Sequence, residues 1–295
     1  MSLGEHQPGQ FALDDELEAL DARRFELAVK RLADGLAYGL DRSPFRGTGI
    51  EWAQSRPYQP GDPVRSIDWR VTARTRRVHV KEYEAPKRLP CWLLVDTSAS
   101  MTVRSGPRSK YGLAVQVAGA VALASLQRLA PVGLLGVGER ALRVEPSLSR
   151  EQVLLWLHRL RRYRLDEGTT LGRRLMELAP RLGERSLVLV ISDLHDELAL
   201  PALERLALEH DCAVIRTLDP AEAGVAGAGF VRAREAESGR GFVGRLSRPP
   251  IDPQELASRL HRQGIDHLLL SSAESPAHRL RHFLRTRGLL GRTAR

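Results

Sequence analysis

The sequence predicts an α/β fold: a mostly parallel sheet with helices on both faces, preceded by a small α+β segment. Two observations lead to this prediction. Short apolar runs recur from residue 89 onward, and longer segments with helical periodicity separate them. Strands that are apolar throughout are buried on both faces, which is typical of parallel sheets.

The predicted elements follow in order. Residues 14–38 place apolar side chains near helical spacing, with acids early and bases late, and predict an amphipathic helix. The alternation in RVHVKEY, Arg77–Tyr83, predicts a strand. Further predicted strands are 91–96, 132–137, 186–193, 212–218 and 266–270, with a hairpin over 230–246. Further predicted helices are 110–129, 150–160, 170–182, 201–209, 252–261 and 274–287.

We divide the chain of 295 residues into four parts. These are an N-terminal amphipathic helix with its flanks, a small β-rich segment, the α/β domain with an inserted hairpin at about 229–246, and a basic C-terminal helix. Their ranges are 1–44, 45–88, 89–272 and 273–295.

Composition narrows the class of protein. No stretch is long and apolar enough for a membrane span, and the N-terminus lacks the pattern of a secretory signal, so we expect a cytoplasmic protein. Cys91 and Cys212 lie in apolar runs and are expected to be reduced core residues. The net charge of +9 leaves an Arg-driven nucleic-acid binder open as an alternative. However, the arginines are scattered along the sequence and do not cluster with aromatic residues as in a nucleic-acid-binding surface.

Oxygen-bearing side chains lie at the ends of two predicted strands and in one predicted loop. Asp96, Ser98 and Ser100 come directly after an apolar strand, and alternate residues of an extended stretch project to one side. Thr169 follows Gly168 in a loop before a helix, and Asp193 ends another apolar strand. Ligands of parallel sheets bind at these carboxyl ends, and hard oxygen donors suit Mg²⁺ or Mn²⁺.

Plainer explanations of these residues stay open. Asp96, Ser98 and Ser100 could form a polar turn that caps the next helix. Thr169 could be a helix cap, and Thr170 competes with it as a ligand. Asp193 could pair with an arginine.

The five residues resemble the metal-ion-dependent adhesion site of von Willebrand factor A domains. That resemblance implies three metal-binding loops: Asp96, Ser98 and Ser100 in the first, Thr169 in the second and Asp193 in the third. It also implies an A-type domain whose metal accepts an Asp or Glu carboxylate from a protein partner.

An upstream block identifies a family. RPYQPGDPVRSIDWRVTAR, Arg56–Arg74, resembles the RxYxxGDxxRxIDWxxxAR signature of domain-of-unknown-function family 58, and the resemblance covers roughly residues 45–275. It implies an adaptor or co-chaperone that works with a MoxR-type AAA+ ATPase. Within the block we expect acids and arginines to lock the segment onto the α/β domain, with Trp69 as an apolar anchor. A docking surface for a partner is the alternative. The charged residues concerned are Asp62, Arg65, Asp68 and Arg74.

An enzyme is the remaining alternative. A Mg²⁺-dependent phosphohydrolase could use Asp96 as nucleophile, but enzymes resembling the haloacid dehalogenases need a second Asp two residues later as general acid. That position is Ser98. We therefore expect no catalytic residues and a non-enzymatic protein.

Overall fold

The computed structural model describes residues 22–40, 51–62, 64–84, 89–106, 108–220, 222, 230–234, 241–245 and 253–287. They divide into two compact units: residues 51–84 form the smaller, and α1 (Ala22–Leu40) joins the residues from 89 onward in the larger. The predicted helical residues 14–21 and the hairpin turn at 235–240 lie outside the described residues.

The larger unit is built on a six-stranded sheet in the order β10-β7-β6-β3-β4-β5. Five strands are parallel, and β5 runs antiparallel to β4 at one edge. The predicted α/β class with a mostly parallel sheet is therefore confirmed. The strands are β3 Cys91–Val95, β4 Val132–Gly136, β5 Arg143–Ser147, β6 Leu187–Ser192, β7 Asp211–Leu218 and β10 Asp266–Ser271. A separate antiparallel hairpin consists of β8 Phe230–Arg234 and β9 Gly241–Arg245.

Helices cover both faces of this sheet. On β3, Cys91, Leu93 and Val95 contribute to one hydrophobic core, whereas Trp92 and Leu94 contribute to the other. The first core is shared with α1, α3, α4 and α8, and the second with α5, α6 and α7. The bounds are α3 Lys110–Gln127, α4 Arg150–Arg161, α5 Leu171–Leu178, α6 Ala199–Leu206, α7 Pro253–Arg262 and α8 Ala277–Arg287.

Helix α3 lies at the centre of the first core. Nearly all of its side chains are buried, as its almost wholly apolar sequence predicts. At Gly119, an added Cβ would lie 2.8 Å from Val29 of α1 and 2.9 Å from Leu157 of α4. Glycine therefore allows both helices to pack closely on α3.

Strand β5 is a strand of the larger unit that the sequence did not predict. Its segment RVEPS is only partly buried and contains Pro146, which is tolerated at a sheet edge because an edge strand leaves some N–H groups unpaired. Such a strand has no apolar run to indicate it.

The smaller unit consists of an antiparallel pair, β1 (Glu51–Pro57) and β2 (His79–Glu84), with the short helix α2 (Trp69–Thr75) between them. The predicted strand 77–83 corresponds to β2, while β1 and α2 were not predicted as separate elements.

The two acids of the Arg56–Arg74 block make hydrogen bonds within the smaller unit. Both guanidinium Nη atoms of Arg56 donate to Asp62 at 2.8 Å, and Asp68 caps α2 through the N–H groups of Arg70 and Val71. Trp69, the predicted apolar anchor, is 67% exposed.

Two further predictions concern the whole chain. Cys91 and Cys212 are buried and unbridged, as expected for core residues. Among the helices of the described residues, none has both the length and the apolar character needed to cross a membrane.

Candidate metal centre

Asp96 lies where the central strand of the sheet ends. Strand β3 ends at Val95, and the parallel register of β3 and β6 places Asp96 beside Ser192, with the Asp96 N–H donating to the Ile191 carbonyl at 3.0 Å. The Asp96 side chain is fully buried. Its Oδ1 accepts from the Ser98 N–H at 3.0 Å and from the Ser98 hydroxyl at 2.6 Å, and its Oδ2 accepts from the Ser192 hydroxyl at 2.5 Å.

The first loop brings its two serines together by a turn. Residues Ala99–Thr102 form a 3-10 helix, so the extended conformation predicted for this stretch is wrong beyond Ser98. The hydroxyl oxygens of Ser98 and Ser100 lie 3.0 Å apart, and Ser100 donates to Asp193 Oδ2 at 2.9 Å. Asp96, Ser98, Ser100 and Asp193 thus form one continuous chain of contacts, which we call the oxygen chain.

The geometry of the oxygen chain leaves lone pairs available. A hydroxyl has one proton, and those of Ser98 and Ser100 point to the carboxylates of Asp96 and Asp193. The two hydroxyl oxygens lie 3.0 Å apart, and either of them could also donate to the other. With both protons on the carboxylates, the two hydroxyl oxygens offer lone pairs that a cation can bind.

The two threonines of the second loop differ in what their hydroxyls contact. Thr170 Oγ1 donates to the carbonyls of Val137 and Gly138, at 3.1 and 2.8 Å. Thr169 Oγ1 is buried and has no hydrogen-bond partner among the described residues. Unpartnered buried hydroxyls are rare, because the lost hydration is not replaced. Of the two hydroxyls, that of Thr169 is therefore the one with both its proton and its lone pairs unused among the described residues.

A buried glutamate, not predicted from the sequence, joins the first and second loops. Glu167 Oε1 accepts from the hydroxyls of Thr97 and Tyr163, at 3.1 and 2.9 Å, and Oε2 accepts from the Arg140 N–H at 2.8 Å. Its carbonyl accepts from the Ala99 N–H at 2.8 Å. In the sequence Glu167 sits in the polar run DEG, which looks like a solvent-exposed loop.

Asp193 has charged neighbours that the sequence analysis also missed. Its Oδ2 lies 2.7 Å from the Lys110 ammonium and 3.0 Å from His195 Nδ1. The same ammonium lies 2.5 Å from Glu222 Oε1, and Arg216 Nε donates to the Asp193 carbonyl at 3.3 Å. His195 lies in the exposed part of this loop, and its ring contacts Asp193.

A second donor group overlaps the first. The ligand atoms of Asp193, His195 and Glu222 all lie within 4.8 Å of one another, a spacing that could hold a metal ion. However, the Lys110 ammonium lies against the oxygens of both carboxylates of this group. We therefore take the oxygen chain, together with Thr169, as the better candidate.

The two carboxylates of the oxygen chain have opposite pKa shifts. Burial, and then the charge of Asp193, raises the pKa of Asp96 to about 6 despite the hydrogen bonds from Ser192 and Ser98. Burial would also raise the pKa of Asp193, but the His195 hydrogen bond and the Lys110 charge outweigh it and hold that pKa well below its usual range. The site therefore holds one firmly ionised carboxylate and one that a proton or a metal would readily neutralise.

The donor set can be tested against a divalent cation. Two carboxylates and three hydroxyls are all oxygen donors of the kind that Mg²⁺ and Mn²⁺ prefer. The Thr169 hydroxyl has an unused hydrogen-bonding capacity, and the raised pKa of Asp96 shows that its buried charge lies close to a second carboxylate, a repulsion that a cation would relieve. The residues present therefore fit such an ion.

Comparison with known proteins gives the following matches. Residues 54–247 match the family described as "Protein of unknown function DUF58". Uncharacterized proteins of Mycobacterium bovis and of Mycobacterium tuberculosis are each 32% identical over 232 residues, covering 77% of this chain and 73% of theirs.

Two solved structures are also similar. The conserved hypothetical protein BatB from Bacteroides thetaiotaomicron matches with a TM-score of 0.47 and 15% identity, over 67% of this chain and 98% of that one. The Deinococcus radiodurans RO (RSR) protein matches with a TM-score of 0.37 and 14% identity, over 96% of this chain and 50% of that one.

Proposed function

This chain belongs to the DUF58 family, and on that premise we propose that it is a non-enzymatic, metal-dependent protein–protein interaction protein. Its larger unit acts as a von Willebrand A-type domain. A Mg²⁺ or Mn²⁺ ion binds at an adhesion-type site formed by Asp96, Ser98, Ser100, Thr169 and Asp193.

The oxygen chain is the observation that supports this proposal. It joins side chains from the ends of β3 and β6 and brings the hydroxyl oxygens of Ser98 and Ser100 within 3.0 Å of each other. An ordinary helix-capping turn explains neither this pair nor the unpartnered Thr169 hydroxyl.

The charges around the site favour binding of an acidic partner. Hydroxyls bring no charge to the ion, and Lys110 and Arg216 contact Asp193 and offset its negative charge. A divalent ion held there keeps a net positive charge, which attracts a carboxylate. An Asp or Glu side chain of a protein partner completes the coordination.

The same geometry argues for binding rather than hydrolysis. Where an Asp-based phosphohydrolase needs its general acid, Ser98 donates its only hydroxyl proton to Asp96. The role that we propose is that of an adaptor or co-chaperone, with a MoxR-type AAA+ ATPase as the partner that the family resemblance suggests.

Titration calorimetry of the full chain with Mn²⁺ and Mg²⁺ tests the metal site. We expect binding, and an increase in Tm, that Ser100→Ala weakens by at least tenfold. Ser186→Ala is the control, because Ser186 is a buried serine that precedes β6 and so lies at the opposite end of that strand from the site. No heat of binding and no change in Tm for the wild-type chain would contradict the proposal.

The partner is tested separately. Immobilised chain should retain a purified MoxR-type ATPase of the same genome in Mg²⁺ and release it in EDTA, and Asp96→Ala should retain none. Equal retention in Mg²⁺ and EDTA would exclude a metal-dependent contact with that ATPase.

A further inference from the structure

Lys110 is a buried cation in an unusual place. Its side chain is fully buried, whereas Lys30 and Lys81 are exposed. It is the first residue of α3, where the helix dipole is positive and disfavours a second positive charge. Neither helix stability nor burial explains a lysine here, so its carboxylate partners must.

The ammonium is shared between two carboxylates. Nζ lies 2.7 Å from Asp193 Oδ2 and 2.5 Å from Glu222 Oε1. Asp193 belongs to the oxygen chain, while Glu222 follows β7 and is linked to Asp193 through the Lys110 ammonium. Lys110 can therefore stay paired with Glu222 when a second cation takes the charge of Asp193.

Asp193 has one oxygen already saturated. Its Oδ2 receives the Ser100 hydroxyl, the Lys110 ammonium and His195 Nδ1. Among the described residues, its Oδ1 receives only the backbone N–H of His195, at 3.4 Å. A coordination position remains at this carboxylate, but the negative charge that would attract a metal is already neutralised by Lys110.

We propose that Lys110 is an internal competitor of the divalent cation, and that it determines how tightly the cation binds. Without metal, the ammonium neutralises Asp193 and holds the third loop in place. When the metal binds, the Asp193 carboxylate pairs with the ion, and the Lys110 ammonium stays paired with Glu222. This inference rests on the proposed metal site.

The consequence for affinity follows from electrostatics. An ammonium and a divalent ion that contact the same buried carboxylate repel each other strongly, since little water screens them. The wild-type site is then weaker for metal than the same oxygens would be without Lys110. An incoming partner carboxylate relieves the excess positive charge, so metal and partner strengthen each other's binding.

Titration calorimetry with Mn²⁺ on the full chain at neutral pH tests the inference. Lys110→Met removes the charge and keeps most of the side-chain volume, and we expect its Kd for Mn²⁺ to fall at least tenfold. Glu222→Gln forces the ammonium onto Asp193, and we expect its Kd to rise at least threefold. Lys30→Met, which removes an exposed lysine, is the control and should leave the Kd unchanged. A merely structural role for Lys110 would not produce tighter binding.

The outcomes separate the two proposals. Mn²⁺ binding by Lys110→Met with the wild-type Kd would overturn the competition and leave the metal site intact. Binding by both, at least tenfold tighter for Lys110→Met than for the wild type, would support both, and binding by neither would overturn both. If Lys110→Met fails to fold, Glu222→Gln decides: binding at least as tight as that of the wild type would refute the competition.

Discussion

The Ser192 hydroxyl donates to Oδ2 of Asp96 over 2.5 Å, and so links the last residue of β6 to the first residue after β3. With Ser98 on the other oxygen, Asp96 is surrounded by donors, yet its pKa is raised to about 6 because burial and the charge of Asp193 dominate. We therefore expect protonation of Asp96 to affect both metal affinity and stability near pH 6.

We expect the affinity for Mn²⁺ to depend on pH through Asp96. Below its pKa of about 6, a proton occupies the carboxylate and the metal has to displace it. Competition by one proton lowers affinity by up to about tenfold per pH unit. Calorimetry between pH 7.5 and 5 measures this, and an affinity that stays constant over that range would contradict it.

Asp96→Asn should stabilise the protein in EDTA at neutral pH. The folded-state pKa of Asp96 lies above its usual value, so ionisation between about pH 4 and 6 favours the unfolded chain, and wild-type stability falls as pH rises through that range. An amide carries no charge and can still accept from Ser98 and donate to Ser192. We expect a gain of about 1–3 kcal/mol in the free energy of unfolding at pH 7.5, shrinking toward pH 4. Urea unfolding measures it, and a gap that does not vary with pH would refute the explanation.

The two neighbouring threonines should separate metal binding from stability. Thr169→Val loses no hydrogen bond, so we expect an unchanged free energy of unfolding and at least tenfold weaker binding of Mn²⁺. Thr170→Val loses contacts to two carbonyls and should cost about 1 kcal/mol of stability without a direct loss of metal affinity. The opposite pattern in paired urea and calorimetry measurements would assign the ligand to Thr170.

Gly138→Ala should destabilise the second loop. The added Cβ would fall on the Glu167 carboxylate and lie 2.6 Å from Thr97 Oγ1, displacing the buried hydrogen bonds of that glutamate. We expect a loss of about 1–3 kcal/mol. Gly183→Ala is the control, because its Cβ would meet nothing within 4 Å. Equal Tm values for the two variants would show that Glu167 can move aside.

The sequence allowed prediction of the sheet and of the polar residues at its strand ends. Fully buried parallel strands leave an apolar run that ends abruptly, so Asp96 and Asp193 stand out. The partners of Asp193 left no such signal. Lys110 and Glu222 lie 83 positions before and 29 positions after it, and they approach it only through packing. Likewise, the sequence cannot distinguish the roles of the adjacent Thr169 and Thr170. Their hydroxyls differ because backbone carbonyls lie within reach of only that of Thr170, which the fold determines.

The central position of β3 has a consequence for the order of folding. Asp96 meets Ser192 only after β6 has paired beside β3, a closure over 96 positions of the chain. Long-range pairings of this kind form late and slowly. A metal bound across them would stabilise the native state more than the folding transition state, so added Mg²⁺ would slow unfolding and leave the refolding rate nearly unchanged.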